Sequence, residues 1–157
     1  MIFRIEKSDA MYRKILAVTF GTALSDKAVK EAAALAKAVS AKLLILHVRS
    51  PIDVPDHAQG GALTRLGEET IFREIGDQEA DLRGAAVKIA AAAGVEAETA
   101  FVTDLSSADA VVRVATEQHC DLIVMFTRIR HGIPGYFVKS ETQKVLGQTD
   151  IPVLVMR

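Results

Sequence analysis

Leu122-Ile123-Val124-Met125-Phe126 is an unbroken apolar pentapeptide set between Asp121 and Thr127. Five apolar residues in a row leave no wet face for a surface strand and are too few for a buried helix, so the stretch reads as a central parallel strand covered on both sides. Ile15-Leu16-Ala17-Val18-Thr19 and Leu43-Leu44-Ile45-Leu46-His47-Val48 have the same character, as does Pro152-Val153-Leu154-Val155-Met156 near the C-terminus. Val95 to Val102 differs: Val95, Ala97, Thr99 and Phe101 alternate with Glu96, Glu98 and Ala100, the pattern of an edge strand with one wet face.

Helical patterns fill the spaces between these strands. After a turn at Gly21-Thr22, Ser25 reads as an N-cap, and Ala28, Ala32, Leu35, Ala36 and Val39 form an apolar stripe. Pro51 and Pro55 open a loop. A long pattern through Ile71, Ile75, Leu82, Ala86, Ile89 and Ala93 then stops at Gly94; Gly76 inside it marks a place where the helix either continues or breaks. Ser106 or Ser107 caps a third helix carrying Ala108, Val111, Val112 and Ala115, and Ser140 to Gln143 has a capping-box pattern ahead of a short fourth one ending near Gly147. Strands alternating with helices through short connections predict right-handed crossovers and an α/β, doubly wound, five-stranded parallel sheet with helices on both faces. Residues 1–11 form an N-terminal extension, either an added edge strand or a loose terminus, and 12–157 form one domain.

Composition narrows the function classes. The 157 residues are half apolar and a quarter charged, with a formal net charge of −1. That balance lacks the basic excess of a nucleic-acid surface. Cys120 is the only cysteine, which rules out an internal disulfide and reads as a packing residue of a reducing compartment. No apolar run approaches the ~20 residues that span a bilayer, and no signal-peptide pattern opens the chain, so a cytoplasmic protein without membrane association is expected. His57, His119 and His131 have no ligand spacing with one another or with Cys120, so no metal site is expected. His47 reads as a structural histidine at a strand end. Asp104 and Asp109 read as turn and first-turn residues near Ser106. No catalytic residue stands out.

YRKILAV (Tyr12 to Val18), LLILHV (Leu43 to Val48), CDLIVM (Cys120 to Met125) and KVLGQTDIPVLVMR (Lys144 to Arg157) together resemble the universal stress protein family, over nearly the whole chain. The resemblance implies the strand order 3-2-1-4-5, with the winding reversing between the first and fourth strands, where open parallel sheets bind ligands. In the nucleotide-binding branch of that family, ATP sits there on an Asp after the first strand and on a glycine-rich pattern after the fourth: Gly, two residues, Gly, nine residues, Gly and Ser or Thr.

Matched to that pattern, the Asp is Phe20, the glycines are Phe126, Ile129 and Lys139, and only Ser140 is kept; Val48 falls at a position that offers mainly backbone. A β-branched residue where a left-handed glycine stood predicts a different loop path, and two aromatic rings predict a plugged crevice. No cofactor is therefore expected, which implies the branch that does not bind ATP. ATP or AMP binding, or weak ATP hydrolysis in a rearranged cradle, is the alternative. Arg128, Arg130, His131 and Lys139 offer a replacement anion loop, against the simpler reading of solvated loop charges. Ser140 with Gln143 reads as a helix cap, with a phosphate contact as the rival reading. The last strand, Val153, Leu154 and Val155, has no protecting Lys and predicts antiparallel pairing with a second copy as a homodimer, unless the N-terminal extension covers that edge. The expected function is a non-catalytic, dimeric binding or signalling module that docks a protein partner or takes a small ligand near Phe20 and Phe126.

Overall fold

In the computed structural model, residues 11–51, 65–127 and 141–157 are described. Nine elements follow in order: β1 (Lys14–Thr19), α1 (Ala23–Val39), β2 (Lys42–Arg49), α2 (Arg65–Ala92), β3 (Ala97–Thr103), α3 (Ser107–Glu117), β4 (Leu122–Phe126), α4 (Glu141–Gln148) and β5 (Val153–Met156). All the pairings are parallel, and the sheet runs β3-β2-β1-β4-β5.

The unbroken apolar runs have a direct physical reason. Side chains along a strand point alternately to opposite faces, and both faces here are covered. Ile15, Ala17, Leu43, Ile45, Leu122 and Val124 face α1 and α2, where Ala28, Ala32, Ala36, Ala86 and Ala90 keep the helices close. Leu16, Val18, Leu44, Leu46, Ile123 and Met125 face Val111 and Ala115 of α3 and Val145 of α4. Ile15 to Val18 have no exposed surface at all. Truncating one of the large ones to alanine costs about 2–5 kcal/mol.

The strand register is pinned by a side chain as well as by the ladder. The carboxylate of Asp121 accepts from the backbone N–H groups of Arg13 at 2.8 Å and Lys14 at 3.0 Å, tying the start of β1 to the start of β4. At the opposite side, the Lys14 ammonium meets Glu98 of edge strand β3 at 3.0 Å.

Helix ends correct some details of the sequence reading. The cap of α1 is Thr22, not Ser25. The left-handed turn at Gly21 (φ +69°) brings Thr22 into extended geometry, and Ser25 becomes the third helical residue of a reciprocal capping box. Ser106 caps α3, accepting from Asp109 N–H at 3.3 Å. The α2 helix runs unbroken through Gly76 and Gly84, both of which face open space. Its end at Gly94 (φ +76°) is a Schellman motif, with Val95 N–H on the Ala90 carbonyl and Gly94 N–H on that of Ala91. That closure delays β3 to Ala97, two residues later than the alternation predicts. Ser40 (φ 58°) and His119 (φ 54°) end α1 and α3 in the same left-handed conformation without glycine.

His47 and Cys120 are structural. His47 is 7% exposed, stacks on Phe101 with ring centroids 5.0 Å apart, and lies under Gly21 so closely that a Cβ there would be 2.9 Å from its Cε1. The guanidinium of Arg83 covers Phe101 at 5.3 Å from its centroid. Burial, then the nearby Arg49 charge, lower the His47 pKa below its ordinary 6.5, against a smaller opposing effect of Glu79. Cys120 is buried at 5% exposure, and burial pushes its thiol up to about 11.

Two outcomes follow from these groups. The neutral form of His47 is favoured in the fold, so the unfolded chain takes up the proton first, and stability falls as pH drops below about 6.5 towards the depressed folded value. Thermal melts between pH 7.5 and 5 will show this loss, and it will be smaller in His47→Gln; equal slopes would refute the assignment. With on the order of one thiol in a thousand ionised at pH 8, Cys120 will react with an aromatic disulfide reagent at least about a hundredfold more slowly in native protein than in denaturant. A native rate near the denatured one would show that the site opens.

Candidate functional site

The winding reverses between β1 and β4, and at the carboxyl ends of those strands lies a cleft of about 440 Å³. Its apolar walls are Phe20, Leu24, Met125 and Phe126; Thr22, Ser25, Ser107, Thr127, Glu141 and Thr142 supply polar edges. Phe20 is 36% exposed and separates this cleft from a second one of about 370 Å³ over β2, where Gly21, His47, Val48 and Arg49 meet Gln78, Asp81 and Leu82 of α2. Arg49 is paired there with Glu79 at 3.6 Å.

Phe20 and Phe126 both line this cleft and Val48 lines its neighbour, but the two rings leave the crevice open rather than plugged, since Phe126 packs into the core beneath it. Phe20 lines both clefts, while Phe126 is half-buried and packs against the α1 and α2 core. Arg128, Ile129, Arg130, His131, Lys139 and Ser140 lie outside the described residues. Among the described residues no group of three or more His, Cys, Asp or Glu side chains is arranged to hold a metal ion.

Backbone N–H groups at this end of a parallel sheet are the usual anion receptors. Here several of the described ones have partners from within the chain. Ser25 Oγ accepts from the N–H of Phe20 at 3.2 Å and of Thr22 at 3.1 Å, donates to the Thr22 carbonyl at 2.8 Å, and lies 3.0 Å from Thr19 Oγ1. One hydroxyl therefore fills the β1–α1 turn. At the start of α3, Glu141 Oε2 accepts from Ala108 N–H at 3.1 Å, Ser106 Oγ from Asp109 N–H, and Asp104 Oδ1 from Ser106 N–H at 3.0 Å. The Ser106 N–H and then the Arg113 guanidinium, 3.1 Å away, hold the Asp104 carboxyl below its usual range. Asp104 serves the turn before α3, as expected from sequence, whereas the carboxylate of Asp109, in the first turn of α3, accepts from Gln148 at 2.9 Å and so ties α3 to α4. Lys144, 2.8 Å from Glu141 Oε1, has its pKa raised by that bond.

Ser25 and Glu141 are the site residues that sequence reasoning missed. Ser25 carried a signal, since a hydroxyl near a helix start was recognised as a cap. Glu141 carried none: its contact with α3 spans 33 residues and depends on how α3 and α4 pack.

Comparison with known proteins agrees with the fold and extends to sequence. Residues 11–157 match the model of the universal stress protein family. A universal stress protein of Thermus aquaticus is 31% identical over 151 residues, covering 94% of this chain and all of that protein. Universal stress protein YxiE of Bacillus subtilis is 30% identical over 150 residues with the same coverage. Among solved structures, a universal stress protein in complex with cAMP superposes with a TM-score of 0.65 at 27% identity, covering 93% of this chain and 97% of that one. The chain belongs to the universal stress protein family.

Proposed function

We propose that this universal stress protein is a dimeric, non-catalytic binding or signalling module in stress adaptation, with a degenerate nucleotide site and no cofactor. The observation that carries this reading is the internal use of the crevice's hydrogen-bond donors: Ser25 fills the β1–α1 turn and Glu141 reaches the first turn of α3. A phosphate using those N–H groups would have to displace an acceptor that the chain already supplies. Phe20 adds to this, since an aromatic ring replaces the carboxylate that the nucleotide-binding pattern requires. Two observations favour the second reading, an ATP or AMP switch or weak ATP hydrolase. The cleft is open, and a relative at 27% identity has been solved in complex with cAMP. In that reading Ser140 and the basic residues Arg128, Arg130, His131 and Lys139 hold the phosphates.

Dimerisation is proposed through β5. That strand pairs only with β4, leaving its outer edge without a strand partner among the described residues, and Leu154 is 43% exposed on it. Antiparallel addition of a second β5 about a two-fold axis satisfies that edge.

Two measurements test these proposals. Titration with magnesium ATP, AMP or cAMP will leave the melting temperature unchanged within about 1 °C. A saturable rise of about 5 °C or more, the effect of ligand at a hundred times its Kd on a domain of this size, would establish the nucleotide reading instead. Light scattering after size exclusion will give twice the chain mass for the wild type and the single-chain mass for Leu154→Glu; a variant that remains dimeric excludes β5 as the interface.

A further inference from the structure

We propose that the cleft between β1 and β4 takes a small aromatic molecule bearing an amine or hydroxyl and no negative charge, and that Glu141 sets this preference. The inference rests on the reading that the site does not hold a nucleotide, and names what it holds. Phe20 and Phe126 supply aromatic side chains and Leu24 and Met125 further apolar surface, around a volume of about 440 Å³. Such dimensions and lining are those of small-molecule sites, and aromatic rings favour an aromatic or cationic occupant. The polar edge sets the sign. Ser25 Oγ already accepts two N–H groups and donates its proton, so it offers an incoming anion nothing.

Glu141 is the only formally charged residue among the described lining residues. Its carboxylate makes one bond from each oxygen, to Ala108 N–H and to Lys144. A carboxylate has about four acceptor positions, so capacity remains for a donor from a ligand. An anion in the same place would face the carboxylate and find the Ala108 N–H already taken.

A charge series on one ring tests the proposal: tyramine, tyrosol and 4-hydroxyphenylacetate, titrated into the full-length protein by calorimetry and ligand-observed NMR at pH 7.5. Tyramine and tyrosol will bind, with tyramine ahead of 4-hydroxyphenylacetate by about threefold or more, the scale of a partly exposed ion pair. Glu141→Gln keeps an oxygen for Ala108 N–H and will bring the cation and anion within about twofold. Lys144→Gln, which removes the internal counter-ion, will widen the gap, and Phe20→Ala will weaken all three. No binding by any compound, tightest binding by the anion, or an order unchanged by both charge variants would each overturn the inference. ATP is titrated in parallel. Binding of ATP would remove the reading beneath the proposal, whereas silence from both ATP and the aromatic series would defeat the proposal alone.

Discussion

The constraint on which the rest depends is the double coverage of β1. Ile15 to Val18 are wholly buried, and alternate residues enter two separate cores. A strand in that position must have a neighbour on each edge and helices on each face. The chain meets this by winding one way through β2 and β3, then returning to place β4 and β5 on the other edge. The crevice is the geometric result of that reversal, because the connections leaving β1 and β4 depart to opposite sides. Its location is thus fixed by packing, whatever side chains come to line it.

What lines it determines chemistry, and here the lining is turned inward. In a phosphate cradle, backbone donors are held ready for a ligand. In this chain a serine hydroxyl and a glutamate carboxylate already supply acceptors to three of the described donors, the N–H groups of Phe20, Thr22 and Ala108, and both also stabilise the local fold. Ser25 orders the turn that aims Phe20; Glu141 joins α4 to α3. The same atoms that line the crevice therefore also hold its walls in place.

The architecture was legible in the sequence because it is written in runs. LIVMF, LLIL and ILAV are apolar without a break since alternate residues serve two cores, and the Glu-bearing alternation of β3 marks an edge for the complementary reason. Gly94 announced its left-handed stop. Ser40 and His119 adopt the same conformation without announcing it, because tertiary contacts rather than propensity place them there. Likewise Thr22 took the cap that sequence assigned to Ser25, one turn's geometry deciding between two hydroxyls. Phe20 and Phe126 were legible as residues lining the cleft through residue matching, and Glu141 was not. A hydrogen bond between two helices far apart in the chain has no local signature.

Asp121 gives the crevice a mechanical meaning. Its two hydrogen bonds close contacts between residues 108 and 107 positions apart, at the seam where β4 and β5 join the half built from β1, β2 and β3. The carboxylate fastens one end of that seam, and the crevice lies at the other. An occupant touching Phe20 on one side and Phe126 on the other acts as a second fastener, so binding would be felt as resistance of the two halves to separation. Occupancy of the crevice would in this way register as a change in rigidity between the two halves of the sheet.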